Sequence, residues 1–335
     1  MIRSKSKILR KFSVTTLALL LLAMIVVAAR APDANAQPPQ TNEARIVLTA
    51  VDKDSHFVAT LRAEDVRILE DGKLQTITGF QQVTNQPVAL AILIDASGSQ
   101  ERTLPGQKLA ATSFVDLIMQ SGRDEAAVAT FTGTLKVEQK LTNEVKLLHQ
   151  AIARAEFVPP QGYRGGGVVV GPLPPISTTP AMLAGSTAIW DAVLTVCHDL
   201  LLPSSGHGRH AIILLTDGED TISKSKMADA IDHAIRDNVA IYSIGIGDSE
   251  LYGVNKDALR KLSERTGGRA FFPKHGADFQ TIFAEIGEDL RTQYIITYSP
   301  TTSAGSARKL RVEIVNPALR SADIQLSYPQ VTPRK

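Results

Sequence analysis

Cysteine is almost absent from this chain. Cys197 is the only one in 335 residues, so no intramolecular disulfide can form. The fold must be held by burial, and a chain that is 44% hydrophobic can bury enough for one large domain and a second small one. Cys197 falls in 188–202, which has helical periodicity, and is expected as a buried structural thiol. Catalytic signatures are also missing. No Gly-x-Ser-x-Gly elbow occurs, and no histidine accompanies a candidate nucleophile. Gly165-Gly166-Gly167 is not followed by Lys-Ser/Thr, so it is no phosphate-cradling loop. His207 and His210 form an H-x-x-H in a Gly/Ser-rich stretch with no third ligand, and are read as a turn rather than a transition-metal site.

A basic footprint is missing too, once the N-terminus is set aside. Arg3, Lys5, Lys7, Arg10 and Lys11 precede an apolar run over 14–29, short for a membrane span and fitting a signal h-region. Ala34-Asn35-Ala36 offers a cleavage site before Gln37, and Ala29-Arg30-Ala31 is a second candidate. The alternative is an uncleaved anchor helix. No cysteine lies near the cleavage region, so a lipidated N-terminus is not expected. Six of the 36 Lys and Arg residues and one of the 34 acidic residues fall in 1–36. The remainder carries 30 basic and 33 acidic residues, net −3, which does not point to nucleic acid. The expected location is periplasmic or secreted.

What is present divides into three stretches. Residues 37–85 read as β, with a strand at 45–51, a solvated turn at 52–55, and an alternating pair at 65–69 and 74–77 around Glu70-Asp71-Gly72. From 88 the pattern changes to apolar strands (88–94, 126–131, 211–215, 240–246, 270–272) alternating with amphipathic helices (107–119, 143–155, 188–202, 224–236, 256–266, 279–292). Near-continuous apolar strands of this kind belong to a mostly parallel sheet covered on both faces. Residues 291–330 return to β at 293–298, 310–315 and 323–328, followed by a tail over 331–335. The expected architecture is a doubly wound α/β unit over 86–290, inserted into a small β-sandwich-like domain made from both flanks. Residues 157–183 are rich in Gly and Pro and run into Gly185-Ser186-Thr187, so this loop is expected beside the ligand crevice at the carboxyl ends of the strands.

Two strand ends carry oxygen ligands. Asp95, Ser97 and Ser99 follow the strand at 88–94 at spacing i, i+2, i+4, and Gly98 is read as letting their loop curl. Asp217, in Thr216-Asp217-Gly218, follows the strand at 211–215. Thr187 opens a helix after the long loop and can add a further hydroxyl. Two carboxylates with neutral hydroxyls and no His or Cys suit a hard divalent cation, most naturally Mg²⁺, with Mn²⁺ or Ca²⁺ also possible. Two carboxylates neutralise such an ion without filling its coordination sphere. Glu219 and Asp220 are read as solvated residues near it.

These residues resemble the von Willebrand factor A (VWA) domain and its metal-ion-dependent adhesion site over about 86–290. Asp95, Ser97 and Ser99 match the family's Asp-x-Ser-x-Ser, Thr187 in Gly185-Ser186-Thr187 matches its threonine, and Asp217 matches its final aspartate. Glu70-Asp71-Gly72-Lys73 before this region, and Gln293-Tyr294 with Tyr298-Ser299-Pro300 after it, resemble exported bacterial VWFA-related domain proteins. The resemblance implies a metal whose open position takes a partner's carboxylate. The expected function is an exported, metal-dependent, non-enzymatic binding module for a protein or matrix partner. The alternatives are a structural envelope component with a fold-stabilising metal, and, less favoured, a metal-assisted hydrolase.

Overall fold

Strand β1 (Ala44–Val51) opens the described part of the chain, followed by β2 (Val66–Glu70) and β3 (Lys73–Val83). The computed structural model describes residues 43–159, 185–202, 208–247, 253–274, 278–301 and 308–332. The expected export segment, most of the Gly/Pro loop and His207 lie outside the described residues.

The α/β part follows in chain order. It comprises β4 (Val88–Asp95), α1 (Leu104–Ile118), β5 (Glu125–Phe131), β6 (Leu135–Thr142), α2 (Val145–Arg154) and α3 (Ile189–Thr195), which runs into a π-helical stretch, Val196–Leu201. Then come β7 (Arg209–Thr216), α4 (Met227–Arg236), β8 (Val239–Gly245), α5 (Lys256–Arg265), β9 (Ala270–Phe271) and α6 (Asp278–Arg291). The chain closes with β10 (Gln293–Ser299), β11 (Leu310–Ile314), the short helix α7 (Pro317–Ser321) and β12 (Gln325–Ser327). Among the described residues no helix is long and apolar enough to cross a membrane.

The α/β sheet has the order β6-β5-β4-β7-β8-β9 and is parallel except for β6. Every residue of β4 is buried, because helices cover both faces. Leu90, Ile92 and Ile94 pack with Phe114 of α1 and Phe283 of α6, whose rings meet edge to face at 5.3 Å. Ala89, Ala91 and Leu93 pack on the other side with Ile189, Val193 and Ile231 from α3 and α4. Strand β6 has no counterpart in the sequence reading. It is a half-exposed antiparallel edge strand, and two register irregularities against β5 break the alternation that would have marked it. His210, read as part of a turn, is instead a buried residue of β7 paired with Ala89 and Val239.

The flanks form one antiparallel sheet of order β11-β2-β3-β10-β1-β12, with Ala44 opposite Tyr298 and Val83 opposite Gln293. Asp71 and Gly72 both have positive φ and make the tight hairpin between β2 and β3. Strand β3 pairs with β2 through its first residues and with β10 through the rest, so the sheet bends. It curls over a core of Ile46, Leu48, Ile68, Tyr294, Ile296 and Tyr298. Its two edges meet in a bridge between Lys309 and Val331, with Leu310 N donating to Gln330 O at 2.8 Å.

The two sheets are joined at β3–β4 and α6–β10. Arg291, at the end of α6, donates to both carboxylate oxygens of Asp124 (2.8 and 2.5 Å), to Gln86 O (3.1 Å) and to Ile118 O (2.7 Å). Val88 N and Gln120 N also donate to Asp124, which is fully buried. Burial raises the pKa of Asp124, but these donors outweigh it and hold the carboxyl below its ordinary range.

Candidate metal centre

Asp95 ends β4, and the loop after it turns directly into a short 3₁₀ segment, Gly98–Gln100. Asp217 follows the end of the neighbouring strand β7, so parallel pairing of β4 with β7 brings the two carboxylates to one edge of the sheet. Asp95 is 0% exposed and Asp217 1% exposed. Asp95 accepts from Ser97 N at 2.9 Å and from the Thr216 hydroxyl at 2.5 Å. Asp217 accepts from the Ser99 hydroxyl at 2.5 Å, the Gln100 side-chain amide at 2.7 Å and Glu219 N at 3.0 Å. The Ser97 and Ser99 hydroxyls lie 3.3 Å apart. Four of the five residues named from sequence therefore converge.

Among the described residues, Thr187 is tied to the group only through its neighbour Gly185, whose carbonyl bonds the ligand loop. It is buried, and no hydrogen bond joins its hydroxyl to the other four among those described. Gly98 N donates to Gly185 O at 3.2 Å, Thr187 N to the Thr221 hydroxyl at 2.8 Å, and Thr221 N to Thr187 O at 2.8 Å. The reason for glycine at 98 differs from the expected one. It has no positive φ, and a Cβ there would sit 3.1 Å from Gly185 O, so the close approach of two backbones favours glycine. Gly218 needs both freedoms, having φ +83° and a hypothetical Cβ 2.9 Å from Leu259 Cγ.

Several supporting residues were missed in the sequence. Gln100 is fully buried, and its amide oxygen accepts from the Thr103 hydroxyl and from Gln107 Nε2. Thr216 orients Asp95 as described above. Asp220, read as a solvated residue, accepts from Ile189 N at 2.7 Å and from the Ser223 hydroxyl at 2.6 Å, so it caps α3 from a distant loop. In return Asp191 of α3 accepts from Lys224 N and Ser225 N, both at 2.9 Å. The only sequence signal was the density of Asp, Ser and Thr over 216–225.

The charge balance decides what the group can hold. Burial first, and then Asp217, push the Asp95 carboxyl up to about 7. Every hydrogen-bond partner described for the two carboxylates is a hydroxyl, a backbone amide or a side-chain amide, and none is a cation. Two buried carboxylates with converging hydroxyls and no basic partner fit a hard divalent cation. Asp95, Ser97, Ser99 and Asp217 would hold it, with Thr187 beside them.

The family model of the von Willebrand factor type A domain matches residues 175–285. That stretch is of the VWA type. The match takes in Thr187 and Asp217, while Asp95, Ser97 and Ser99 precede it and join through the β4–β7 pairing. No curated protein matches the chain in sequence. Among solved structures, the chain is similar to von Willebrand factor type A from Catenulispora acidiphila, at 13% identity and TM-score 0.46, covering 89% of this chain and 76% of that one. BatB from Bacteroides thetaiotaomicron is similar at 17% identity and TM-score 0.44, covering 60% and 98%. Proximal thread matrix protein 1 from the mussel byssus, with a zinc-occupied MIDAS motif, is similar at 18% identity and TM-score 0.48, covering 64% and 49%.

Proposed function

We propose that this protein is an exported, non-catalytic binding module that recognises a protein or matrix partner through a divalent cation held by Asp95, Ser97, Ser99, Thr187 and Asp217. One observation carries the reading: two carboxylates at the ends of neighbouring parallel strands are buried to 0% and 1% exposure, each accepts from a hydroxyl, and neither has a basic partner among the described hydrogen bonds. Mg²⁺ is the ion we assign, because the donors are all oxygens and two of them carry charge. Such an ion supplies an open position for an anionic oxygen. A carboxylate of the partner is the complementary group.

Affinity capture from envelope or secreted extract in Mg²⁺, with elution by EDTA, tests this. The wild type should retain a partner, whereas Asp95→Ala and Asp217→Ala should not, and isothermal titration should show that both have lost Mg²⁺ binding. A partner held equally by both variants would sink the proposal. The complete burial of Asp95 favours one second reading, in which the ion stabilises a structural envelope component. A large rise in melting temperature with Mg²⁺, with no metal-dependent partner, would select it.

A further inference from the structure

The flanking sheet is a barrel left unzipped along one seam. Its edge strands β11 and β12 run antiparallel, and their pairing begins at the bridge between Lys309 and Val331. Leu310 N donates to Gln330 O at 2.8 Å, and Thr332 N to Arg308 O at 2.9 Å. This register makes Val312 opposite Tyr328, and Ile314 opposite Leu326, the next hydrogen-bonded pairs. Neither ladder pair is present among the described residues. Pro329 instead bridges to Thr266, and Gln330 N donates to Arg265 O at 3.2 Å, which draws this end of the chain aside.

Side chains occupy the place of the missing backbone. The Tyr328 hydroxyl accepts from Val312 N at 3.0 Å. The Arg320 guanidinium donates to Ile314 O at 3.2 and 2.8 Å. On the opposite edge, Val51 bridges to Phe57 on the side away from β12, and Ala50 O accepts from Val58 N at 2.9 Å on that same side. Leu326, paired with Ala50, therefore turns its own N–H and C=O toward the seam. Residues of both edges line a groove of about 600 Å³, to which Ile324 and Leu326 give apolar surface. Its charged groups are three guanidiniums and two carboxylates. Arg67 and Arg311 both bridge Glu313, while Arg320 and Asp323 form no ion pair among the described residues. Residues 302–307 and 333–335, next to these edges in sequence, include no acid.

We propose that the seam is a strand-acceptor site, which takes an extended segment of a partner polypeptide between β11 and β12. The segment's backbone displaces the Tyr328 hydroxyl from Val312 and the Arg320 guanidinium from Ile314, and pairs with Leu326 on the other side. Successive side chains of a strand alternate between faces, so apolar residues of the segment turn onto Ile324 and Leu326. The residues between them face the charged rim. Acids are favoured there, because the rim has one guanidinium in excess and displacement releases Arg320. An edge that is merely guarded keeps its guards in place and takes no strand. The site uses no residue of the metal centre and needs no cation.

The test uses the full chain in EDTA and fluorescence anisotropy with three labelled octapeptides. One alternates valine and glutamate, the second is the same with every valine N-methylated, and the third alternates valine and lysine. The first should bind at least about tenfold tighter than either of the others. Tyr328→Phe, which frees Val312 N, should tighten that binding several-fold. Leu326→Pro removes an N–H that faces the seam and none that faces β1, so it should weaken binding about tenfold with an unchanged circular dichroism spectrum. Equal affinity for the three peptides, or no binding, would overturn the site. So would a folded Leu326→Pro chain that binds as tightly as the wild type. Should Leu326→Pro not fold, the peptide comparison and Tyr328→Phe decide alone. A wild type that sediments as a dimer, with Leu326→Pro a monomer, would make the occupant a second copy and overturn the partner strand. Asp217→Ala should bind the first peptide as the wild type does, so the seam and the metal centre stand or fall separately.

Discussion

Gln100 is the residue on which the order of the proposed metal centre depends. It is buried, it donates to Asp217, and its own oxygen is held by Thr103 and Gln107 from the next turn. Side chains that orient metal ligands in this way typically control affinity by about ten- to a hundredfold. Gln100→Leu should therefore weaken Mg²⁺ binding by at least about tenfold in calorimetry, with an unchanged circular dichroism spectrum. Asp220 acts on backbone instead. Asp220→Ala removes the acceptor for Ile189 N and should cost about 1 kcal/mol in urea unfolding, the usual value of a helix cap. Cys197 is 0% exposed, and burial together with Asp237 pushes its thiol up to about 12. It should resist thiol reagents in the native protein and react only as fast as the chain unfolds.

The elements were more legible in the sequence than their supports. Strands β4, β7 and β8 are buried on both faces, and continuous apolar runs announced them. Asp95, Ser97, Ser99 and Asp217 were readable because each closes or follows such a run. Gln100 and Thr216 were not, because a polar residue beside a site has no periodicity to betray it. Edge strand β6 was hidden by irregular pairing, and α7 has only five residues, too few for a helical pattern. The joint between α6 and β4 is a further element-level finding, made by Arg291 and Asp124. Breaking a buried pair strands a charge, so Arg291→Met should destabilise the fold by about 3–5 kcal/mol in chemical unfolding. The pH sign follows from Asp124, whose folded-state pKa lies below the ordinary 3.8. The contribution is present above 3.8 and is lost as pH falls through the lower folded-state value. Acid unfolding should be steeper in the wild type than in Asp124→Asn.

At the scale of the molecule, the flanking sheet draws its core from both ends of the described chain, with Ile46, Leu48 and Ile68 meeting Tyr294, Ile296 and Tyr298. Neither half can bury this surface alone. Deleting residues 310–332 should remove β11 and β12, expose that core, and lower the melting temperature of the remainder, as measured by near-ultraviolet circular dichroism. The position of the α/β part between β3 and β10 has a kinetic meaning as well. Ala44 must find Tyr298, and closing so long a loop in an unfolded chain is slow. Val83 and Gln293, however, lie opposite each other where the α/β part begins and ends. Once that part has folded, the open length between those two residues is gone, and β3 and β10 meet as neighbours across a short turn would. Refolding should accordingly show the α/β layer protected from hydrogen exchange before the curled sheet, and a chain leaving the ribosome would complete its first strand last.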